Sequence, residues 1–297
     1  MTDLTDKLFV QKPTLMAACR AVFAEIRSWP ATLKVGTVLM TILVIAAIGA
    51  PYLAPYDPDL QDFDAIMVPP NLQHLFGTDN IGRDIFSRVL YGARIDLLAG
   101  FIMTYVPMAY GVLIGAYAGY RGGWFDAATS MVINIVIAFP FLVVIIIVVA
   151  VAGPGLQNIY IAVFLGSWTM YARLTRAEML VERNKDYVQA AKVLGFPTRR
   201  ILLFHALPNT IGSAVAFSMS DFVLNILMLA GLSFIGFGAQ PPMPEWGAMI
   251  AEGKEFILDA WWICAMPGLI VVYAGAALSL IGDGLATRLG VSGGGHK

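Results

Sequence analysis

The residues of this chain most capable of chemistry are its histidines, which could bind a metal, and residues 247–254, which could be compared with a phosphate-binding loop. The three histidines, His74, His205 and His296, lie far apart and share no metal-ligand spacing. Residues 247–254 end in Lys254 but lack both the P-loop spacing and the Ser or Thr that should follow the lysine. No nucleophile has a base at motif spacing. We therefore expect no metal site, no bound cofactor and no enzyme activity in this chain by itself.

Asp221 is the one carboxylate that we expect within an apolar membrane segment, because the charge-free interval 222–244 begins directly after it. Ionisable groups inside a membrane are costly and normally face a cavity or a partner. Asp221 is therefore a candidate residue of a translocation path. The alternative is that the membrane segment begins late, which would place Asp221 nearer the interface.

Residues 186–209 contain a short helix with a defined start and stop. Asp186 can act as the N-cap, and Gln189 can reach back to it as in a capping box. Gly195 suits the left-handed position after a helix, and Pro197 cannot continue it. The pattern predicts a helix over residues 187–194, followed by a second helical segment.

This short helix carries an apolar stripe at the spacing i, i+3, i+4, i+7. The stripe consists of Tyr187, Ala190, Ala191 and Leu194, with Gln189 and Lys192 lying off it. Such a stripe suits docking into a groove of another protein. An ordinary amphipathic surface helix is the alternative interpretation.

A second polar stretch covers residues 76–94, for which we predict a helix. Arg83 and Asp84 can reach Ser87 and Arg88 at i+4, so that charges pair along one face. A surface helix with internal ion pairs and a lid over the outer mouth of a pore are both compatible with this pattern.

The loop at residues 239–247 is the third notable stretch. Its prolines, which include Pro242, fix φ in a tight turn. We expect Trp246, Trp261 and Trp262 to place aromatic rings where the outer face of the membrane meets water.

The composition requires a membrane to position these segments. Of 297 residues, 58% are hydrophobic and 13% are charged, whereas soluble domains have about 25% charged residues. A membrane helix needs about 20 apolar residues. The charge-free intervals therefore predict six membrane helices, two of them in one long interval that reverses at residues 153–155. We expect proline kinks at Pro107 and Pro140, and close helix packing along Gly111, Gly115 and Gly119.

The charges predict the orientation of the chain. With the N-terminus inside, 15 of the 19 Lys and Arg residues lie on the cytoplasmic side, in agreement with the positive-inside rule. Both termini and the loop 174–208 are then cytoplasmic. No secretory signal is expected, because the first apolar run is too long and begins too late.

Residues 186–209 resemble the EAA loop of ATP-binding cassette (ABC) import permeases, the cytoplasmic coupling helix that docks on an ATPase subunit. The resemblance rests on Gln189-Ala190-Ala191, on Gly195 and on His205-x-Leu207-Pro208. The chain departs from the pattern at Gln189, where the family has Glu. The resemblance assigns ATPase coupling to Tyr187, Gln189, Ala190, Ala191, Gly195, His205, Leu207 and Pro208.

Residues 76–94 resemble the GTDxxGRDxxSRxxxGAR pattern of dipeptide, oligopeptide and nickel permeases, and residues 239–247 resemble the family's GxQPPxPxWG loop. The end of the last span resembles GDGLRD at Asp283 but departs from it at Ala286-Thr287. The resemblance implies an outer gate or a binding-protein contact at Thr78, Asp79, Gly82, Arg83, Asp84, Arg88, Arg94, Gln240, Pro242 and Trp246.

The implied fold is an all-α polytopic membrane protein with six transmembrane helices, the type I ABC importer permease (MetI-like) fold. The expected organisation is a cytoplasmic lead-in (1–33), a first transmembrane helix (34–56), a periplasmic segment (57–94), a core of five helices with the coupling loop 174–208 (95–286) and a cytoplasmic tail (287–297). The expected location is the bacterial inner membrane.

The resemblance implies partners, since this chain has no ATP site of its own. They are a second homologous permease, two cytoplasmic ATPases that use ATP and Mg²⁺, a periplasmic or lipid-anchored binding protein, and membrane lipid. No nucleic acid is expected. The cargo is expected to be dipeptides or oligopeptides. The alternatives are nickel or another small solute carried by the same machinery, and an ATP-independent secondary transporter.

Overall fold

The computed structural model describes residue 25 and residues 27–289. Most of the predicted lead-in, the end of the predicted tail and His296 lie outside these residues. Within them the chain is helical, with one isolated bridge between Thr78 and Asp84. The helices are α1 (Ala31–Leu53), α2 (Ile85–Arg121), α3 (Gly123–Ala138), α4 (Phe141–Ala152), α5 (Leu156–Gly166), α6 (Trp168–Glu182), α7 (Asp186–Val193), α8 (Leu207–Phe234), α9 (Trp246–Gly253) and α10 (Trp262–Arg288).

Four helical runs are long and apolar enough to cross a membrane by themselves within the described residues: α1, α2, Thr198–Phe234 and α10. The run Thr198–Phe234 consists of a helical turn at Thr198–Arg200, a π-helical turn at Ile201–Ala206 and α8. The pair α3 and α4 qualifies as a fifth span that is bent by 78°. The predicted number of six stays a prediction, because the segment of α5 and α6 is broken at Ser167.

The predicted breaks inside the long interval are found in the structure. α3 ends at Ala138, just before Pro140, and α4 resumes at Phe141. Gly153 and Gly155 have φ values of 95° and 137°, a backbone conformation that glycine adopts more readily than other residues. The chain reverses at these glycines, so that α4 packs on α5.

The glycine ridge of α2 lies against α6, as its spacing predicts. A Cβ atom built on Gly111 would lie 2.6 Å from the Trp168 carbonyl oxygen, and one built on Gly119 would lie 2.7 Å from that of Arg176. The two backbones therefore approach each other too closely for any side chain at these positions.

The predicted boundaries of the membrane helices differ from the observed ones. The first helix begins at Ala31 rather than at residue 34, and α8 covers Leu207–Phe234 rather than 222–244. Asp221 lies inside this helix, as expected, and the charge-free interval 222–244 covers only part of the span. The helix continues through Asp221 since neighbouring side chains donate hydrogen bonds to its carboxylate.

Candidate functional site

The short helix α7 ends as predicted. Gly195 has φ 77°, its N–H donates to the Lys192 carbonyl at 3.0 Å, and the Phe196 N–H donates to the Ala191 carbonyl at 3.1 Å. These two bonds make a Schellman motif, which satisfies the last carbonyls of the helix. The helix therefore stops at a rigid corner.

The predicted capping box at the start of α7 was wrong. Asp186 lies inside the helix, Lys185 occupies the N-cap position, and no side chain caps the first turn. The Gln189 amide instead donates to the Arg183 carbonyl at 2.7 Å. Gln189 reaches past the helix start because the preceding turn places a free carbonyl there. Gln189 thus ties α7 to the end of α6.

The apolar stripe of α7 is split between two faces. Val188 and Ala191 are buried, together with Ile201 and Ala206, in a cluster below the helix. Ala191 was predicted to share the docking stripe and is 4% exposed. The exposed members of the apolar face are Tyr187, Ala190, Val193 and Leu194. We call this exposed face the docking face, after the role that the sequence resemblance implies for it.

Tyr187 joins α7 to the segments on either side of it. Its hydroxyl donates to the Glu182 carboxylate, accepts from the Asn209 amide at 2.9 Å and lies 3.2 Å from the His205 carbonyl oxygen. Burial alone would raise the pKa of Glu182, but the Lys185 ammonium at 2.6 Å and the Tyr187 hydroxyl outweigh it, so this pKa lies below its ordinary value. The docking face is thus held in place by both flanking helices.

The remaining residues of the EAA resemblance are structural neighbours of α7. His205 lies in the π-helical turn, with its Nδ1 3.1 Å from the Arg200 carbonyl oxygen. Leu207 packs against the cluster below α7, and the adjacent Pro208 is exposed in the first turn of α8.

On the opposite end of the molecule, residues 76–84 form a loop and not the predicted helix, which begins only at Ile85. Asp79 accepts from the Arg83 backbone N–H at 2.9 Å and from its Nε at 2.5 Å, and Arg83 also donates to Glu252 at 2.6 Å. The Thr78 hydroxyl donates to the Ala65 carbonyl at 2.5 Å. The loop is therefore closed by buried polar contacts, and Arg83 connects it to α9.

The i+4 pairs predicted for this stretch were wrong. Asp84 caps α2 by accepting from the Ser87 N–H at 2.8 Å and contacts His74 Nδ1 at 3.0 Å. Gly82 has φ 80°, and a Cβ there would lie 1.8 Å from the Asp62 carbonyl oxygen. A helix over these positions would remove this turn, and Asp84 could no longer cap α2.

Arg88 joins three segments at this end of the molecule, although its side chain is buried. Its guanidinium donates to the Pro58 carbonyl at 3.2 Å and to the Pro242 carbonyl at 3.5 Å, and lies 3.8 Å from the Glu252 carboxylate. Arg94 is exposed, with its guanidinium 5.8 Å from the centre of the Tyr91 ring. Arg88 therefore connects the loop before α2 to the 239–247 loop.

The expectation for the tryptophans was wrong for two of the three. Trp246 and Trp262 are 0% and 7% exposed, and only Trp261, at 52%, is accessible. Trp246 Nε1 donates to the Val89 carbonyl at 3.1 Å, and Trp262 Nε1 donates to the Thr78 carbonyl at 3.1 Å. Trp246 is buried because the 239–247 loop folds back onto α2, and Trp262 is buried because the loop that contains Gly77 and Thr78 lies against its ring. In the same loop, Gln240 is exposed and donates to the carbonyls of residues 236 and 238.

Sequence reasoning missed two buried carboxylates beside Trp246. Asp96, inside α2, accepts from the Trp246 N–H at 3.1 Å, and Glu245 caps α9 by accepting from Gly247 and Ala248 at 2.9 and 2.8 Å. Both are 0% exposed. Asp96 was overlooked because the charge-free interval was counted from Leu97. A carboxylate so close to an apolar interval was the available signal.

Asp221 lies within α8 and faces other helices. It accepts from the Tyr171 hydroxyl at 2.7 Å and from the Asn225 amide at 3.2 Å, and Asn225 also donates to Thr104 at 3.0 Å. This polar cluster joins α2, α6 and α8. Among the described residues, no group of three or more His, Cys, Asp or Glu is placed to hold a metal ion.

Comparisons with known proteins agree with one another. Residues 111–290 match the family described as "Binding-protein-dependent transport system inner membrane component", and residues 33–70 match the "N-terminal TM domain of oligopeptide transport permease C". The chain is 40% identical to the dipeptide transport system permease protein DppC of Haemophilus influenzae, over 86% of this chain and 88% of that one.

Two further relatives cover as much of the chain. The probable D,D-dipeptide transport system permease protein DdpC of Escherichia coli is 36% identical over 100% of this chain and 99% of its own. The glutathione transport system permease protein GsiD of Escherichia coli is 41% identical over 84% and 82%. A solved structure of the MetNI methionine ABC transporter aligns with a TM-score of 0.47 at 18% identity, over 65% of this chain and 94% of that one. The sequence relatives, and not this distant likeness, carry the identification.

Proposed function

We propose that this chain forms the translocation path for short peptides and that α7 transmits the conformational change of the ATPase subunits to it. The chain belongs to the family of binding-protein-dependent transport system inner membrane components. As a permease subunit of an ABC importer it is the membrane component and not the ATPase. Family membership removes the alternative of an ATP-independent secondary transporter.

The observation that carries the coupling proposal is the docking face of α7. Leu194 is 72% and Val193 is 88% exposed, although the helix is clamped at Gly195 and through Tyr187. Exposed apolar side chains on a rigidly held helix mark an interaction site. A force applied to this face passes to α6 through Glu182 and to α8 through Asn209.

The family implies a partner permease, an ATPase and a binding protein in general. We propose that this chain pairs with a second, homologous permease, with two cytoplasmic ATPases that use ATP and Mg²⁺, and with a periplasmic or lipid-anchored binding protein. The proposed location is the bacterial inner membrane, with both termini cytoplasmic.

Peptide is the proposed cargo because relatives that cover nearly the whole chain are named for dipeptide and glutathione transport. Asp221, Tyr171 and Asn225 are proposed to lie along the path, where a carboxylate would interact with the ammonium group of a passing peptide. The exposed Arg94, Gln240 and Pro242 are proposed as outer contacts. The buried Arg83, Arg88 and Trp246 would hold the outer loops in place without touching the binding protein.

The test uses the reconstituted complex with its binding protein and a dipeptide. Leu194→Glu puts a charge on the docking face without entering the cluster below α7, whereas Ala191→Glu would disrupt that cluster. We expect loss of the ATPase subunits on purification, with ATP hydrolysis and dipeptide uptake falling together. Leu72→Glu, at a position 97% exposed near the outer loop, is the matched control and should leave all three unchanged.

The outcomes separate coupling from cargo. Normal ATPase retention and uptake in Leu194→Glu would refute the role of α7. ATP-dependent uptake of a nickel chelate by the parent complex, without uptake of a dipeptide, would preserve the machinery and refute the cargo.

A further inference from the structure

A basic concavity of about 560 Å³ opens between the cytoplasmic end of α2 and the segment after α7. Three cations line it, Arg121, Lys192 and Arg199, together with the aromatic rings of Tyr117, Tyr120 and Phe196. No carboxylate contributes to the lining. The site is therefore positively charged and flanked by flat apolar surfaces.

Two of the three cations contact aromatic groups, and none of the three is paired with an acid in the described part of the chain. Arg121 donates to the Tyr117 hydroxyl at 2.5 Å, and the Lys192 ammonium lies 5.1 Å from the centre of the Tyr120 ring. Within residues 25 and 27–289, none of the three cations pairs with a carboxylate, whereas Arg176 and Lys185 nearby do. Their charge is available to an anion.

The concavity lies at the end of a membrane helix. Arg121 is the last residue of α2, and Trp124, three residues later, is 74% exposed. Tyr and Trp gather where a membrane meets water, and basic pockets between helices on the cytoplasmic side bind acidic headgroups.

The geometry of α7 separates this concavity from the docking face. At 100° per residue, Lys192 projects roughly 140–160° away from Tyr187, Ala190 and Leu194 and roughly 100° away from Val193. An ATPase subunit seated on the docking face would therefore approach α7 from the other side. This direction favours the bilayer, and not a protein partner, as the source of the anion.

We propose that this concavity binds the phosphate of an anionic phospholipid, such as phosphatidylglycerol, from the cytoplasmic leaflet. Arg121 and Lys192 hold the phosphate between the end of α2 and α7, and Arg199 adds a third charge at the rim. The lipid thereby links the position of α7 to the bilayer surface.

The experiment uses the assembled complex in phosphatidylcholine vesicles with a trace of photoactivatable phosphatidylglycerol. Adducts are mapped by mass spectrometry, and we expect them in residues 117–121 and 192–199. Arg121→Gln and Lys192→Gln should each lower the adduct yield roughly fivefold, as expected for about 1 kcal/mol per removed charge near the surface. Arg121→Lys should retain the adducts.

Arg173→Gln is the matched control, because Arg173 is an exposed cytoplasmic arginine outside the concavity. It should leave the adduct yield unchanged. Lys192 is exposed, so Lys192→Gln keeps the test valid if Arg121→Gln fails to assemble.

Three results would overturn the proposal. The first is an unchanged adduct yield in both Gln variants. The second is displacement of the adducts by excess inorganic phosphate but not by unlabelled phosphatidylglycerol, which would assign the site to a free anion. The third is loss of the ATPase subunits from Lys192→Gln with unchanged adducts, which would assign it to a protein partner.

Discussion

The contact between α2 and α6 makes Gly115→Ala the sharpest test of the packing. A Cβ atom on Gly115 would lie 2.2 Å from the Ala172 carbonyl oxygen and 2.7 Å from its Cα, both closer than the 3.0 Å that real Cβ atoms keep. Both clashing atoms belong to the backbone, so no side chain can rotate away. The two helices would have to separate by about 1 Å to reach the ~3.3 Å of a normal C···O contact.

This separation determines the expected size of the effect. Overpacking of a close-packed core costs about 1–3 kcal/mol. A change in helix propensity opposes it, since Ala is favoured over Gly by up to about 1 kcal/mol within a helix. We expect Gly115→Ala to lower the free energy of unfolding by about 1–2 kcal/mol, the clash outweighing the propensity. Reversible unfolding in mixed SDS micelles, followed by circular dichroism, measures it.

Gly212→Ala is the matched control in α8, because a Cβ atom there meets nothing within 4 Å. It should leave the free energy of unfolding unchanged or raise it by up to about 1 kcal/mol through helix propensity. If Gly115→Ala proved as stable as Gly212→Ala, the close approach of α2 and α6 would be refuted.

Three further substitutions test other parts of the structure. Gly195→Ala should cost about 1–2 kcal/mol, because an L residue is strained at φ 77° and the site is sterically open; SDS unfolding with no loss would contradict the Schellman corner. Arg83→Gln leaves the Asp79 carboxylate buried without its cation and should cost on the order of 3–5 kcal/mol, whereas a loss below about 1 kcal/mol would show the pair to be dispensable. Since the pKa of Glu182 lies below its ordinary value of 4.5, its ion pair stabilises the fold fully above that pH and less as the pH falls through the folded pKa. The stability difference between the parent and Glu182→Gln should therefore shrink below pH 4.5, and a difference that grew on acidification would reverse the sign.

Local patterns were sufficient wherever the backbone decides the structure. Gly195 marked the end of α7, residues 153–155 marked the reversal between α4 and α5, and Gly111, Gly115 and Gly119 marked a helix contact. In each case a missing Cβ permits a conformation or an approach that other residues do not. The EAA and GTD resemblances likewise led to the family that the comparisons show.

Patterns failed wherever a distant segment supplies the partner. The charges of residues 76–94 were predicted to pair with one another along a helix. In the structure Arg83 instead donates to the Glu252 carboxylate and Arg88 donates to the Pro242 carbonyl. Ala191 and Trp246 were predicted to be accessible and are buried, Ala191 against the segment that follows α7 and Trp246 against α2.

The sequence by itself determined that this is a polytopic membrane protein, where its breaks fall and which family it resembles, because these depend on composition and on local backbone constraints. Only the tertiary structure decided which face of α7 is free, which groups donate hydrogen bonds to Asp96 and Asp221, and that Arg121, Lys192 and Arg199 line one concavity. Those facts depend on which segments meet in three dimensions. Burial and hydrogen bonding between segments far apart in the chain cannot be inferred from periodicity along it.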